Sequence, residues 1–535
     1  MPPQRPSQRH PMDLCIRNYI QGQYSLSTPN TIEEYTEPIT RKWLHRDIIN
    51  PATKELQFRD IKKHKSIVGI IDFLNRIRIG MTPRGVPLYN FHPYDPAYPT
   101  MVVASKLKPP ANMVAIASFE HWIEKHPRAG IQHVFGVVGD QAAETAALRM
   151  GISIPKQPVE VDDEDEIVEN HTRHHGTQPW DLIFNIDPAG CEDVDDVMGW
   201  RQTSRGTEFF IGIVDIAAWV PEDSWLDKEA KLAGQTLYVE GRAVEPMFPP
   251  CLSTQKASLR ADGVKRPIIA VVYLIEGTKV IQTDWRLLKV AVTEAYTYES
   301  VLDNPVISEV LPALLSIITN QPQSMDPHIW VEQAMILYNT KVAEVLKQRR
   351  KGILRRHAGT TNTDYALLAK TTGIQELAFL GSAAGQYVPA TTQDTHHAGL
   401  GLTTYCHATS PLRRYADVVN HRWLKHSVFG FQEPCGVTIA EHLNHRSNTI
   451  KQFERLIWFL EHLNQDGSIT TTKGIVITYN VETKTAKVYI PAWKRTVRAA
   501  HTTARVYEPG QEVTIRAFSN TKATSIYQRV VCAMN

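Results

Sequence analysis

The amino-acid sequence predicts an α+β multidomain protein in which small β-barrels of the OB type flank a mixed α/β central domain. One observation behind this prediction is the length, because 535 residues exceed what a single hydrophobic core usually supports. Another is a change of character along the chain, from short strands to a long, partly helical region and back to strands. The last is a basic, β-rich C-terminus.

The first region, up to about Ser153, is predicted to be mostly β. Residues 1–12 are rich in Pro, Gln and Arg and are expected to be a disordered leader, since they lack the apolar segment of a secretory signal. Ser66–Phe73 and Met113–Ala117 are candidate strands, separated by Pro-rich turns. Short strands between Gly and Pro residues are typical of small OB-type barrels.

An acidic stretch, Glu160–Glu169, carries seven carboxylates in ten residues. We interpret residues 158–179 as a solvated interdomain linker, with a metal or protein site as the alternative. The nearby His171, His174 and His175 lack a paired Cys or carboxylate motif and are expected to face solvent or RNA.

The central region begins with strands such as Glu208–Val214 and then becomes helical. Trp330–Leu346 and Ile439–Leu463 have apolar positions at helical spacing, which predicts two long helices. The final region has strand-like alternation, and ten Lys or Arg residues oppose three acids between Thr471 and Asn535. Basic residues interleaved with aromatics are typical of an OB-fold that holds single-stranded nucleic acid. The alternative for the aromatics is the barrel core.

Composition excludes several classes of protein. No apolar stretch approaches the roughly 20 residues that span a bilayer, so no membrane association is expected. The six cysteines form no CxxC pair, which argues against a zinc module and a disulfide framework. This cysteine usage fits a reducing compartment inside the cell.

Four aspartates stand close together before the strand Glu208–Val214: Asp187, Asp193, Asp195 and Asp196. Like charges at this density repel, so a fold tolerates them either in water or by neutralising them with cations. Apolar segments on both sides set these carboxylates between core elements. We therefore predict a hard-metal site, with a solvated acidic loop as the alternative.

A second dense segment follows much later in the chain. Ser410 followed by Pro411 is typical of a helix start, with Ser at the N-cap and Pro at the first position. A helix N-terminus with Arg413 and Arg414 would offer backbone amides and guanidinium groups to a phosphate. The alternative is a structural network with Asp417. Together with the aspartates, this segment favours phosphodiester chemistry.

The two segments together resemble the ribonuclease II (RNB) family, which includes ribonuclease R and the catalytic subunit of the exosome. The family pattern I-D-P, four residues, then D-x-D-D is met by Ile186–Pro188 and Asp193–Asp196. A tyrosine followed by T-S-P-x-R-R-Y-x-D is met by Tyr405 and Thr409–Asp417. The likeness is collinear over about 181–454.

The resemblance implies a domain order. Residues 180–465 would be the RNB catalytic domain, and 470–535 an OB-type RNA-binding domain. Pro127–Asp140 resembles, more loosely, the family's second cold-shock barrel, which would span 66–157. Residues 13–65 would then be a reduced cold-shock-like barrel.

The sequence departs from the family in two places. Asp215–Trp219 stands where the family usually has H-I-A-D-V, and Ala257–Leu259 where it usually has C-S-L. A change beside a metal ligand can tilt that ligand and lower activity. A catalytically weakened RNA-binding protein of the same fold is therefore the alternative function. A metal-dependent phosphatase is a distant third, disfavoured by the flanking barrels.

The resemblance implies a role for each site residue. Asp187, Asp193 and Asp196 would be metal ligands, and Asp195 would ligate as well or orient the attacking water. The metal would be Mg²⁺, with Mn²⁺ as a substitute. Asp195, Asp196 and Arg413 are the candidate catalytic residues, because a guanidinium can offset charge on the reacting phosphate.

Three further residues are implied to contact RNA. Tyr238 would stack on the 3′-terminal base, with a core tyrosine as the alternative, while Arg414 would support Arg413 or contact a neighbouring phosphate. Glu454 would lie beside the RNA end. The implied reaction is processive, hydrolytic 3′-to-5′ removal of nucleoside 5′-monophosphates from single-stranded RNA. The resemblance leaves open which partners in an RNA-decay complex the protein would have.

Overall fold

The computed structural model divides into two compact units. One comprises residues 1–153, 370–376 and 451–535, and the other residues 154–369 and 377–450. The residues described are 14–20, 23–27, 32–35, 40–44, 47–50, 53–59, 61–75, 79–153, 175–177, 179–239, 242–359, 363–380, 384–435, 439–463, 470–501, 505–520 and 523–534. The expected leader and most of the expected acidic linker lie outside the described residues.

The first unit begins with a sheet and a barrel. Its strands are β1 (Leu14–Ile20), β2 (Gln23–Ser27), β3 (Ile32–Tyr35), β4 (Ile48–Ile49), β5 (Leu56–Phe58), β6 (Ile67–Ile71), β7 (Leu88–Pro93), β8 (Met101–Ala104), β9 (Met113–His121) and β10 (Arg128–Val137). Strands β6–β10 close into a small barrel, as expected. Strands β1–β5 form a five-stranded sheet, and no closed barrel is found among their described residues.

The same unit contains a second closed barrel at the C-terminus. It is built from β21 (Thr470–Asn480), β22 (Thr485–Ile490), β23 (Arg495–Ala500), β24 (Glu512–Ser519) and β25 (Val530–Met534), in the order β21-β22-β23-β25-β24. Tyr507 is 3% exposed and belongs to its core, Tyr489 is 2% exposed but lies outside that core, and Phe518 is 40% exposed. The aromatic residues of this region therefore divide between core and surface.

A buried ion pair links the two barrel regions of this unit. The Arg529 guanidinium donates to both carboxylate oxygens of Glu144, at 2.5 and 2.7 Å. Glu144 lies on helix α1 (Gln141–Ile152), and the Tyr94 hydroxyl donates to its carboxylate at 2.7 Å. Because each charge is paired and hydrogen-bonded, the pair can be held away from water.

The second unit is built on a six-stranded sheet in the order β17-β16-β13-β12-β11-β18. Its strands are β11 (Leu182–Asp187), β12 (Asp196–Thr203), β13 (Gly206–Val214), β16 (Arg266–Glu276), β17 (Lys279–Val290) and β18 (Glu294–Thr297). Two short pairs accompany the sheet, β14 (Leu237–Val239) with β15 (Arg242–Glu245) and β19 (Ile353–Arg356) with β20 (Gln386–Pro389). Every residue of β16 except Glu276 is buried, because hydrophobic clusters cover both faces of the sheet.

The remaining helices are α2 (Trp225–Ala233), α3 (Pro305–Thr319), α4 (Pro327–Arg349), α5 (Thr363–Thr372), α6 (Glu376–Leu380), α7 (Tyr415–Phe429) and α8 (Ala440–Leu463). Helices α3 and α4 begin at prolines, and the side chains of Asn304 and Asp326 accept hydrogen bonds from their first amides. Among the described residues, no helix is long and apolar enough to cross a bilayer.

The expected helix start at Ser410 is wrong. Residues 411–413 form a turn, and α7 begins only at Tyr415. The amides that a helix start would leave free are already used, since Ser410 donates to the Asp417 carboxylate at 2.7 Å. Leu412 donates to the Asp195 carboxylate at 2.9 Å. The carboxylates of Asp417 and Asp195 thus bind the amides at the position where the local sequence suggests a helix N-cap.

Candidate active site

The aspartate segment forms the connection between two neighbouring strands. Asp187 is the last residue of β11 and Asp196 is the first residue of β12. The two strands are antiparallel partners, so both carboxylates come to the same end of the pair. One carboxylate oxygen of each, Oδ2, is buried and has no hydrogen-bond partner in the described part of the chain.

The segment Ala257–Leu259 holds the aspartate connection in place. The Ser258 hydroxyl accepts a hydrogen bond from the Val194 amide at 3.1 Å and donates to the Glu192 carbonyl at 2.7 Å. The Leu259 amide donates to the Val194 carbonyl at 2.9 Å. All three contacts come from Ser258 and Leu259, which match the family pattern. The departure at Ala257 therefore leaves this support intact.

Asp195 connects the aspartates to the arginine segment. Its side chain is 5% exposed, and one carboxylate oxygen accepts the Leu412 amide at 2.9 Å. The other oxygen lies 3.6 Å from Nε of Arg413. The Asp195 carbonyl accepts the Val214 amide at 2.9 Å. Asp195 is thus fixed on both its backbone and its side chain.

Asp193 and Tyr238 are joined by a hydrogen bond. The Tyr238 hydroxyl, on β14, donates to Oδ2 of Asp193 at 2.9 Å. Burial raises the pKa of the Tyr238 hydroxyl, and the charge of the neighbouring Asp193 raises it further. The thiol of Cys191 lies 3.8 Å from the other oxygen of Asp193. Tyr238 is only partly buried, so it is not the fully enclosed core tyrosine of the alternative interpretation.

The two arginines differ in their partners. The Arg414 guanidinium donates to both oxygens of the Asp417 carboxylate, at 2.8 and 3.1 Å. Arg413 has a side chain that is 49% exposed, and its only hydrogen bond in the described residues goes to the Ser410 hydroxyl at 3.3 Å. The interpretation that the arginines form a structural network with Asp417 therefore holds for Arg414. Arg413 keeps donor groups for a ligand.

The carboxylates and Arg413 form one electrostatic group. Burial raises the pKa of Asp187 to about 6 and that of Asp195 to about 8. Burial also raises the pKa of Asp196 well above its usual range, helped by Asp187 and Asp195. Arg413 acts in the opposite direction on all three. Sequence positions more than 200 residues apart are thus brought together.

The donor set fits a hard divalent cation. No cluster of three or more His, Cys, Asp or Glu side chains is preassembled around a metal position in the part of the chain that the structure describes. Mg²⁺ does not require one, because it usually keeps several waters and uses one or two carboxylates together with substrate phosphate. The unpartnered oxygens of Asp187 and Asp196 meet that requirement.

The remaining site residue of the sequence analysis, Glu454, lies on the C-terminal part of α8, in the first unit. Burial raises its pKa, and Lys451 and Arg495 act in the opposite direction. Nearby, the Arg495 guanidinium lies 4.5 Å from the ring centre of Trp458, which contacts Trp493 edge-on at 5.7 Å. This surface of the first unit combines cations with aromatic rings.

The altered segment Asp215–Trp219 contains a buried ion pair that the sequence did not reveal. The Asp215 carboxylate lies 2.5 Å from the Lys425 ammonium and 3.1 Å from Nε2 of His175, and none of the three side chains is more than 4% exposed. The expectation that His175 faces solvent or RNA is therefore wrong. His175 is instead buried beside the Asp215 carboxylate.

Sequence reasoning also missed Tyr298. Burial raises the pKa of the Tyr298 hydroxyl, and the charges of Asp187 and Asp196 raise it further. The hydroxyl therefore lies near these two carboxylates. Its ring stacks on His328 with centroids 4.0 Å apart and planes at 9°. Tyr298 follows β18, which pairs in parallel with β11, and this pairing of distant segments is not visible in the local pattern.

Comparison with known families identifies the central region. The RNB domain family model matches residues 180–304 and 303–430. A probable exosome complex exonuclease RRP44 from Caenorhabditis elegans is 23% identical, over 80% of this chain and 55% of that protein. An exoribonuclease 2 from Escherichia coli is 28% identical, over 54% of this chain and 57% of that protein. The chain thus spans just over half the length of these curated relatives.

Solved structures share the fold. Mycoplasma genitalium RNase R, in complex with ribose-methylated single-stranded RNA, has a TM-score of 0.72 at 17% identity and covers 98% of this chain and 100% of its own. Yeast Ssd1, described as a pseudonuclease, has a TM-score of 0.69 at 15% identity and covers 95% of this chain and 81% of its own. Both likenesses confirm the expected fold class.

Proposed function

Since this chain belongs to the RNB family through residues 180–430, we propose that it is a 3′-to-5′ exoribonuclease. Its substrate is single-stranded RNA, which it hydrolyses processively to nucleoside 5′-monophosphates. The observation that carries the proposal is the pair of buried, unpartnered carboxylate oxygens on Asp187 and Asp196. They belong to the same electrostatic group as Arg413, whose guanidinium is accessible.

The carboxylates would hold two Mg²⁺ ions, or Mn²⁺ in their place. When bound, the ions lower the pKa of the attacking water and stabilise the leaving 3′ oxygen. Asp187 and Asp196 supply the unpartnered oxygens, and Asp193 supplies a further carboxylate whose orientation Tyr238 fixes. Asp195 acts as a ligand or orients the attacking water, and its hydrogen bond to the Leu412 amide fixes it beside Arg413.

The chain's other residues bind and orient the RNA. Arg413 places its guanidinium on the scissile phosphate, where it offsets charge that develops during hydrolysis. Arg414, held by Asp417, acts as a support for Arg413. The Tyr238 ring stacks on the 3′-terminal base. Stacking and backbone contacts tolerate any sequence, so the 2′-hydroxyls distinguish RNA from DNA.

The surface formed by Trp458, Trp493 and Arg495 would contact single-stranded RNA, because such surfaces neutralise phosphates and stack on bases. No disulfide joins any two of the five cysteines whose side chains the structure describes, which supports the proposal of a reducing compartment inside the cell.

The decisive experiment uses single-stranded RNA labelled at either end. With Mg²⁺, 3′-labelled RNA is expected to release labelled mononucleotide at the first turnover, and 5′-labelled RNA to end as a short product. EDTA should abolish both. Excess unlabelled RNA added after the start tests processivity, because a processive enzyme finishes the strand it already holds. RNA binding without any shortening in Mg²⁺ or Mn²⁺ would disprove the nuclease.

A second candidate function is RNA binding with weakened catalysis. The observation that favours it is the replacement of the family's usual histidine by Asp215, close to the site. Against it stands the retention of all four aspartates and both arginines. The same experiment separates the two functions, since a weakened enzyme binds RNA but leaves the 3′ label in place.

A further inference from the structure

Arg355 is a cation to which no described residue offers an acidic partner. It lies on β19, partly buried, and in the described part of the chain no carboxylate pairs with it and its side chain donates no hydrogen bond. Its neighbours differ, since Arg356 pairs with Asp394 at 2.7 Å and Arg414 with Asp417 at 2.8 Å. A desolvated guanidinium without a counter-charge is costly, so an external anion would relieve it.

The Arg355 side chain is nevertheless held in position. Its guanidinium lies over the Tyr387 ring, 4.6 Å from the centroid, and stacking leaves the N–H groups in the guanidinium plane available. Tyr387 is fixed in turn by a 2.7 Å hydrogen bond between its hydroxyl and Nδ1 of His407. Gly385 leaves room for the guanidinium, because a Cβ there would lie 2.9 Å from Nε of Arg355.

The surroundings of Arg355 are electropositive. Burial lowers the pKa of His407 well below its usual range, and Arg414, Arg355 and Arg413 lower it further. Burial also lowers the pKa of Arg355 itself, and Arg414 adds to that effect although two tyrosines oppose it. Three arginines and a neutral imidazole thus share this part of the second unit, and Asp417 is already bound by Arg414.

We propose that Arg355, with His407 beside it, binds a phosphodiester group of the RNA strand, at a subsite separate from the scissile phosphate on Arg413. The planar fork of a guanidinium matches two oxygens of a phosphate group. When Nδ1 of a neutral His407 accepts from the Tyr387 hydroxyl, the proton lies on Nε2, which can donate to the same group. The inference rests on the proposed function, because it requires that the strand enter this site.

The test compares wild type with Arg355→Gln in EDTA, where RNA is bound without being cut. Affinity for single-stranded RNA is measured at several KCl concentrations. Loss of one phosphate contact is expected to weaken binding several-fold for all sequences and to reduce the salt slope by about 0.7. Arg205→Gln is the matched control, since Arg205 is exposed at the far end of the β12–β13 hairpin from Asp196.

Oligonucleotides with a single neutral methylphosphonate locate the contact. One position should weaken binding to wild type but not binding to Arg355→Gln. Arg355→Lys should keep the salt slope and recover part of the affinity, because it keeps the charge and loses the fork. Equal melting temperatures of the variants exclude misfolding as the cause.

Two results would overturn the subsite. One is the same methylphosphonate profile and salt slope in wild type and Arg355→Gln. The other is an unchanged profile combined with weaker inhibition by a nucleoside 5′-monophosphate, which would assign the phosphate to released product. In both cases wild type still binds and shortens RNA. Failure of wild type to bind RNA would instead disprove the proposed function.

Discussion

The Asp215 carboxylate and the Lys425 ammonium lie 2.5 Å apart, in a buried pair that joins two parts of the candidate site. Asp215 follows Val214, whose amide binds the carbonyl of Asp195. Lys425 lies on α7, which also carries Asp417. The pair therefore connects the strand that supports the aspartates to the helix behind the arginines. At the position where the sequence departs from the family pattern, Asp215 thus makes a buried contact of its own.

Replacing Asp215 by Asn should lower the free energy of unfolding by about 3–5 kcal/mol, because Lys425 would remain buried without its partner. Burial alone would raise the pKa of Asp215, but Lys425 and His175 outweigh burial and lower it. A lowered pKa stabilises the fold above the range in which unfolded aspartate titrates. The difference between wild type and variant should therefore be complete above about pH 5 and shrink as the pH falls below it.

Urea unfolding at several pH values measures this difference. The control is the double variant Asp215→Leu with Lys425→Met, which removes both charges and should be near neutral or more stable than wild type. If Asp215→Asn alone had wild-type stability at neutral pH, the pair would contribute nothing to the fold.

Asp196→Asn should abolish RNA shortening and raise the metal-free stability at the same time. The carboxylate is buried beside Asp187 and Asp195 without a hydrogen-bond partner on one oxygen, so removing its charge relieves repulsion. The gain should be about 1–3 kcal/mol in EDTA. In Mg²⁺ the gain should shrink, because wild type is stabilised by binding the cation and the variant binds it more weakly.

Thermal melting with EDTA and with Mg²⁺ provides the measurement, and RNA binding in EDTA provides the control for folding. Thr207→Val, beside the turn between β12 and β13, removes only a 3.1 Å hydrogen bond to the Gln202 side chain and should leave RNA shortening and the effect of Mg²⁺ on stability unchanged. A metal-free Asp196→Asn protein that is less stable than wild type would contradict the idea that the carboxylate is held for a cation.

The sequence was sufficient to predict that the aspartates come close together, because all four lie within one short connection between strands. Asp187 and Asp196 end and begin neighbouring strands, so local order fixes their proximity. The fold class was predictable for the same reason, since barrels and central sheet are patterned strand by strand.

The contacts that the sequence did not predict join distant segments. His175 is buried against Asp215, although its neighbours in sequence are polar. Ser410 appears locally as an N-cap, yet its amide is bound by Asp417 and the helix begins later. Arg355 stands in an ordinary β-strand pattern, and only the fold brings it to Tyr387 and His407. Local patterns carry no information on such partners.

Arg413→Lys should lower kcat about 10²–10³-fold, because an ammonium cannot replace a planar guanidinium on the reacting phosphate. The fold should be unaffected, since the side chain is 49% exposed and makes a single hydrogen bond among the described residues, to Ser410. Single-turnover hydrolysis at saturating enzyme measures the chemical step separately from RNA binding.

Arg205→Lys is the control for the general effect of an Arg-to-Lys change on an exposed site of the same unit. A loss confined to RNA affinity, with an unchanged single-turnover rate, would place Arg413 in substrate binding rather than in catalysis.

Tyr238→Phe should weaken divalent-metal binding and leave RNA binding in EDTA unchanged. The ring that would stack on the 3′-terminal base is kept, but the hydroxyl that donates to Asp193 at 2.9 Å is lost. Loss of a group that orients a metal-binding carboxylate typically lowers metal affinity or activity about 10–100-fold. The Mn²⁺ concentration that half-saturates the variant should therefore rise by about 10–100-fold. Electron paramagnetic resonance of free Mn²⁺ measures binding without turnover.

Tyr238→Ala should weaken both metal binding and RNA binding, because it removes the ring and the hydroxyl together. If Tyr238→Phe bound Mn²⁺ as wild type does and still shortened RNA at the wild-type rate, the hydrogen bond to Asp193 would have no part in orienting that carboxylate.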